Sequence, residues 1–217
     1  MNGHSEISAP SKPLLRGHFH QAAFFMALGA CLMLITRAQG LRVFMATLVY
    51  SLSLVGLFGI SALYHRPQWR PQARMWMKRL DHSAIFVVIA GTSTPLCLLA
   101  LQGVAGNQLL SLMWIAAALG ILQSLFWVKA PRWFSSMIYV GVGLLALPFG
   151  GAFRASLSTN SFVLLFLGGI LYAIGAVIYA IKRPNPYPRV FGYHEIFHLL
   201  VVVASAFHFL VIARLVS

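Results

Sequence analysis

Along this chain the hydrophobic residues neither alternate nor recur every third or fourth position; they come in runs of about twenty, separated by short stretches that hold most of the charge. A helix rises about 1.5 Å per residue and the hydrocarbon core of a bilayer is about 30 Å thick, so each run matches one membrane crossing. Seven spans are predicted, at about 19–36, 42–64, 82–101, 109–128, 136–153, 161–181 and 195–215. The expected fold is an all-α membrane protein, a seven-transmembrane helix bundle forming a single domain over residues 19–217 behind a polar N-terminal tail, 1–18. Connections of about five to seventeen residues leave no room for a second, soluble domain.

Composition agrees with this pattern: 59% of the 217 residues are hydrophobic and 9% are charged. A net charge of +13 would suit nucleic acid if it were clustered, but the Lys and Arg residues are scattered beside apolar spans and read as topology signals. Twelve of the sixteen fall on one side, in the tail and the second, fourth and sixth loops; Arg37, Arg42, Arg154 and Arg214 fall on the other. The positive-inside rule then puts the N-terminus in the cytoplasm and, after seven spans, the C-terminus outside. The Arg66–Arg79 stretch interleaves cations with Trp69 and Trp76 and is read as a loop that meets anionic lipid headgroups.

Several polar residues inside the spans have structural explanations. Cys31 and Cys97 read as packing thiols without a disulfide, and Leu28–Cys31 is not a lipoprotein cleavage site because the apolar run continues past it. His20 reads as an interfacial histidine and His208 as a packing or interfacial histidine of the outer leaflet, while Ser205 is placed to touch a substrate chain or water. Pro95, after Gly91-Thr92-Ser93-Thr94, and Pro148 are expected to kink their helices. Gly141, Gly143, Gly150 and Gly151, with Gly168, Gly169 and Gly175, are expected to let helices approach closely.

The last span opens with Gly192-Tyr193-His194-Glu195-Ile196-Phe197-His198. Two histidines four apart lie roughly 6 Å apart in rise and about 40° apart around a helix, so one face can chelate one metal ion. The string H-E-x-x-H is also a zinc-protease signature with the glutamate as general base. Topology adds His65 and Ser61 at the end of the second span and Asp81 at the start of the third, all at the depth of His194 and His198. Asp81 is expected to cap the third helix as well. Three histidines with an open position make a catalytic zinc arrangement that acidifies a bound water, with Ser61 and Asp81 placed to orient it.

Ser61-Ala62-Leu63-Tyr64-His65, Leu80-Asp81-His82-Ser83-Ala84-Ile85-Phe86 with Ala90-Gly91-Thr92, and Phe191-Gly192-Tyr193-His194-Glu195-Ile196-Phe197-His198 together resemble the hemolysin III family. These are bacterial members of the progestin and adipoQ receptor (PAQR) group, related to alkaline ceramidases. The resemblance covers the whole chain in span number and orientation. It implies Zn²⁺ bound by His65, His194 and His198, with Ser61 and Asp81 close to the catalytic water and no defining role for Glu195. Ser93 stands where relatives often carry an aromatic residue.

The function expected from this resemblance is zinc-dependent hydrolysis of a lipid amide or ester bond in the bacterial inner membrane, with a membrane lipid as substrate and no nucleic-acid partner. The alternative is a receptor-like or membrane-homeostasis protein with a structural zinc. A pore-forming hemolysin and an intramembrane metalloprotease using Glu195 are lesser readings. Oligomeric state is not legible in the sequence.

Overall fold

The computed structural model describes residues 12–101 and 103–216. Its helices are α1 (His18–Arg37), α2 (Leu41–His65), α3 (Pro71–Pro95), α4 (Gly103–Phe126), α5 (Arg132–Leu144), α6 (Gly150–Ser156), α7 (Thr159–Ile181) and α8 (Tyr193–Val216). α5 and α6 form one crossing, so among the described residues seven helical segments are long and apolar enough to span a membrane. All seven expected spans are found. Each is extended at one or both ends, because helices continue into the interfacial layers that an apolar count leaves out.

The largest extension corrects the reading of the second loop. Arg66–Arg79 is not a loop throughout: Pro71 occupies the first turn of α3, where its missing N–H would have had no helical partner, and Gln72, Arg74, Lys78 and Arg79 continue the helix as good helix formers. The long cations reach sideways. Lys78 Nζ donates to the Val128 carbonyl at 2.8 Å, and the Arg79 guanidinium lies 4.5 Å from the Trp76 ring centroid. Asp81 therefore lies ten residues inside α3 and does not cap it.

Both prolines interrupt their helices. Beyond Pro95 the backbone widens into a π-helix over Leu96–Leu101, while Ser93 and Thr94 donate their hydroxyls to the carbonyls of Ile89 and Ala90 at 2.9 and 2.8 Å. Around Pro148 a 3₁₀ turn, Leu147–Phe149, separates α5 from α6.

α3 is the central helix. Phe86, Ala90, Leu96 and Cys97 on its line join a buried apolar cluster with α4, α5, α6 and Val211 of α8. Ala84 and Val88 belong to a second cluster with α1, α2 and α8. Cys31 and Cys97 are buried and free, as packing thiols should be. α7 lies against α8, where Gly168 faces His208 so closely that any Cβ would collide with the imidazole. Gly141, Gly143, Gly150, Gly151 and Gly169 have nothing within 4 Å of a would-be Cβ, so the expected close approach fails at these five and holds at Gly168 and Gly175.

Of the expected tail at 1–18, residues 1–11 lie outside the described residues. Residues 12–17 are tied to other segments of the bundle. Leu14 and Leu15 donate backbone N–H groups to the carbonyls of Arg189 and Val190, and Lys12 Nζ donates to the Arg66 carbonyl at 3.1 Å. These contacts gather the tail and the second and sixth loops at one end of the bundle, the end at which α2 finishes and α8 begins.

Candidate metal centre

The centre is assembled from the last turn of α2, the first two turns of α8 and the interior of α3. His65 closes α2, and His194 and His198 share one face of α8; all three rings are buried. Their centroids are 4.7 Å apart for His65 and His194, 5.0 Å for His65 and His198, and 4.5 Å for His194 and His198. His65 Nε2 and His194 Nε2 are 3.2 Å apart, and one donor nitrogen from each of the three residues lies within 4.8 Å of the others.

A tetrahedral ion bonded at about 2.0–2.1 Å sets its donor nitrogens about 3.3 Å apart, so this donor set fits one ion. The fit also has chemical sense: imidazole is a common ligand for several first-row metals. Asp81 comes from α3 to the same place, with Oδ2 3.7 Å from His65 Nε2. The buried Ser61 hydroxyl, one turn before His65, interacts with the Asp81 carboxylate. Thus the five residues singled out in the sequence, Ser61, His65, Asp81, His194 and His198, converge at one end of the bundle.

Glu195, the middle of H-E-x-x-H, faces elsewhere. Its side chain is 1% exposed, Oε1 accepts from Arg16 Nε at 2.5 Å, and Oε2 accepts from the Gly192 N–H at 2.9 Å. Gly192 is the N-cap position of α8 and Glu195 the third helical residue, so the carboxylate reaches back as the acidic half of a capping box. It also sits favourably at the positive end of the helix dipole.

Four neighbours of the centre carried no functional signal in the sequence. Gly17 has φ +81°, and a Cβ there would stand 2.8 Å from His65 Cβ, so this position combines a left-handed backbone with a close approach to a candidate ligand. Arg16 holds Glu195. Tyr179 of α7 stands edge-on to His194 at 5.5 Å, with the Arg132 guanidinium 5.4 Å over its ring. Arg132 also donates to the Tyr193 hydroxyl at 2.8 Å.

His20 is the fourth and corrects an expectation. It is 3% exposed, not interfacial, and its ring stacks on His198 with centroids 3.8 Å apart and planes inclined by 7°. It lies on the same face of α1 as Ala23, Ala27, Cys31 and Leu34, the face packed against α2 and α8. A cue was available in the sequence: Ala23, Ala27, Cys31 and Leu34 continue the same buried stripe at helical spacing.

Other candidates are not brought in. Ser205 is hydrogen-bonded to the Tyr172 hydroxyl at 2.7 Å, and His208 Nε2 pairs with the Leu165 carbonyl at 3.1 Å, the packing role expected of it. His82, next to Asp81, turns its ring edge toward Tyr139 at 6.5 Å. Ser93 is spent on its own helix.

Comparison with known proteins agrees with the motif resemblance. A family model described as haemolysin-III related matches residues 9–209. The chain is 37% identical over 158 residues to the hemolysin-3 homolog of Bacillus subtilis (strain 168), covering 73% of this chain and 71% of that protein. It is 35% identical over 161 residues to hemolysin-3 of Bacillus cereus, covering 74% and 70%. A more distant likeness, 24% over 167 residues, covers 74% of this chain and 66% of the human monocyte to macrophage differentiation factor. With most of its length matched and a buried histidine centre at one end of seven apolar helices, this multi-pass membrane protein belongs to the haemolysin-III related family.

Proposed function

We propose that the protein is an intramembrane zinc-dependent hydrolase of a lipid amide or ester bond. The observation that carries this reading is the convergence, from three different helices, of three buried imidazoles with a carboxylate 3.7 Å from one of them. His65, His194 and His198 would hold the ion. When bound, Zn²⁺ supplies Lewis acidity that polarises a carbonyl and lowers the pKa of water. Asp81 serves as the proton acceptor and later donor, and the Ser61 hydroxyl orients that carboxylate. Tyr179 and His20 wall the centre with aromatic surface and restrict water.

A lipid substrate is supported by the surroundings: the helices present apolar side chains to their exterior along most of their length, which suits a reactant that arrives from the bilayer. The basic end, with Arg66, Arg70, Arg74 and Lys78 beside Trp69 and Trp76, suits anionic headgroups, and by the positive-inside rule faces the cytoplasm of a bacterial inner membrane.

A second reading has its own support. The three histidines come from the end of α2 and the start of α8, so an ion held by them would join the two helices as a structural site, with Asp81 Oδ2 3.7 Å from His65 Nε2 as the nearest carboxylate to close the shell. Metal analysis of the purified protein, together with a lipid-product screen, tests both. One zinc per chain and lipid turnover, both lost in His194→Ala, support hydrolysis. Zinc that raises the unfolding temperature with no lipid consumed supports the structural site, and absence of zinc in the wild type overturns both.

A further inference from the structure

His20 contributes a ring and no ligand. The lone pair of an imidazole nitrogen lies in the ring plane, so an ion held by His198 lies in the plane of His198. The His20 plane runs parallel to it within 7°, with its centroid 3.8 Å away, and its own lone pairs therefore pass beside such an ion instead of meeting it. Among the described residues neither His20 nitrogen makes a well-aligned hydrogen bond. What holds the ring is packing: one face on His198 and an edge contact with Phe58 at 5.2 Å.

A metal-binding imidazole needs its plane fixed, because rotation about the Cβ–Cγ bond swings the donor nitrogen away from the ion; neighbours of the ligands ordinarily supply that restraint. His198 sits one turn deeper in α8 than His194. The full-face contact with His20 restricts this rotation from the α1 side. We propose that His20 is a positioning residue that sets the ring plane of His198, and with it the affinity and ligand geometry of the metal centre. The proposal rests on the reading of His65, His194 and His198 as ligands.

The test uses the full-length protein in detergent with Co²⁺ as a visible probe, following its d–d absorption and its affinity by competition with a chelator. His20→Phe keeps the flat ring and removes both nitrogens. It is expected to bind Co²⁺ within about threefold of wild type with an unchanged spectrum, whereas His20→Ala weakens binding by about tenfold or more and shifts the bands. Unfolding temperatures of the metal-free proteins show whether each variant folds. If the alanine variant does not, His20→Leu fills the volume without a plate and is expected to bind more weakly than His20→Phe. Wild-type affinity and spectrum in His20→Ala, equal defects in Phe and Ala, or equal affinities of Leu and Phe would each overturn the proposal. Undiminished Co²⁺ binding in His198→Ala would instead remove the ligand assignment itself, a failure seen independently of any His20 variant.

Discussion

Glu195 is closed on both carboxylate oxygens, by Arg16 Nε at 2.5 Å and by the Gly192 N–H at 2.9 Å. A general base must turn a lone pair toward the proton it removes, and this one is committed to holding the start of α8. Glu195→Gln is therefore expected to keep metal content and lipid turnover within about threefold of wild type, where loss of a true base would lower turnover by about 10²–10⁴-fold. Arg16→Ala should be the worse variant for stability, by about 3 kcal/mol, because it leaves a buried charge with half its partners. Turnover assays paired with thermal unfolding in detergent check both, and a hundredfold loss in Glu195→Gln at full metal content would return the glutamate to the chemistry.

Gly17 tests whether the segment before α1 supports the centre. Alanine there must adopt φ near +81° and also displace His65 by contact at 2.8 Å. The left-handed backbone alone costs about 1–2 kcal/mol. Gly17→Ala should thus unfold at lower temperature and, if His65 is a ligand as proposed, bind metal more weakly. An unchanged zinc affinity at reduced stability would show that His65 recovers its place.

Asp81 distinguishes the proposed hydrolysis from a structural site. With all three histidines intact, Asp81→Asn is expected to bind zinc at wild-type stoichiometry while turnover falls by about 10²-fold or more, as for loss of an acid–base group. Loss of the metal in this variant would instead identify Asp81 as the fourth ligand and favour the structural site.

Two glycines should respond in opposite directions. Gly168→Ala drives a methyl into His208 and is expected to lower the unfolding temperature measurably. Gly141→Ala meets nothing within 4 Å inside α5 and should be neutral or stabilising by up to about 1 kcal/mol, from helix propensity alone.

The seven crossings were legible because the bilayer forces an apolar run on every helix that crosses it, and H-E-x-x-H was legible because chelation on one helix needs the i, i+4 spacing. His65 and Asp81 came from topology: alternating spans place the end of α2 and the start of the third apolar run at the level of His194. What the sequence concealed has physical causes too. α3 begins ten residues before Asp81 because Gln72, Arg74, Lys78 and Arg79 form helix as readily as apolar residues do, so hydropathy marked the membrane and missed the helix start. His20 and Arg16 carry no fixed spacing to any ligand; only packing of α1 against α8 brings them there. The span 5 glycines show the converse, since composition shows where a backbone is bare but not which bare surface meets another helix.

Arg16 and Gly17 are consecutive residues, yet one grips α8 and the other lies against the end of α2. In order of synthesis this strap comes first, and its partner Glu195 follows 179 positions later. A nascent chain that has not reached α8 holds His65 as one of three candidate donors and leaves Arg16 without its carboxylate. Closure of the strap and completion of the candidate donor set therefore both depend on α8, which carries Glu195 and two of the three candidate donors.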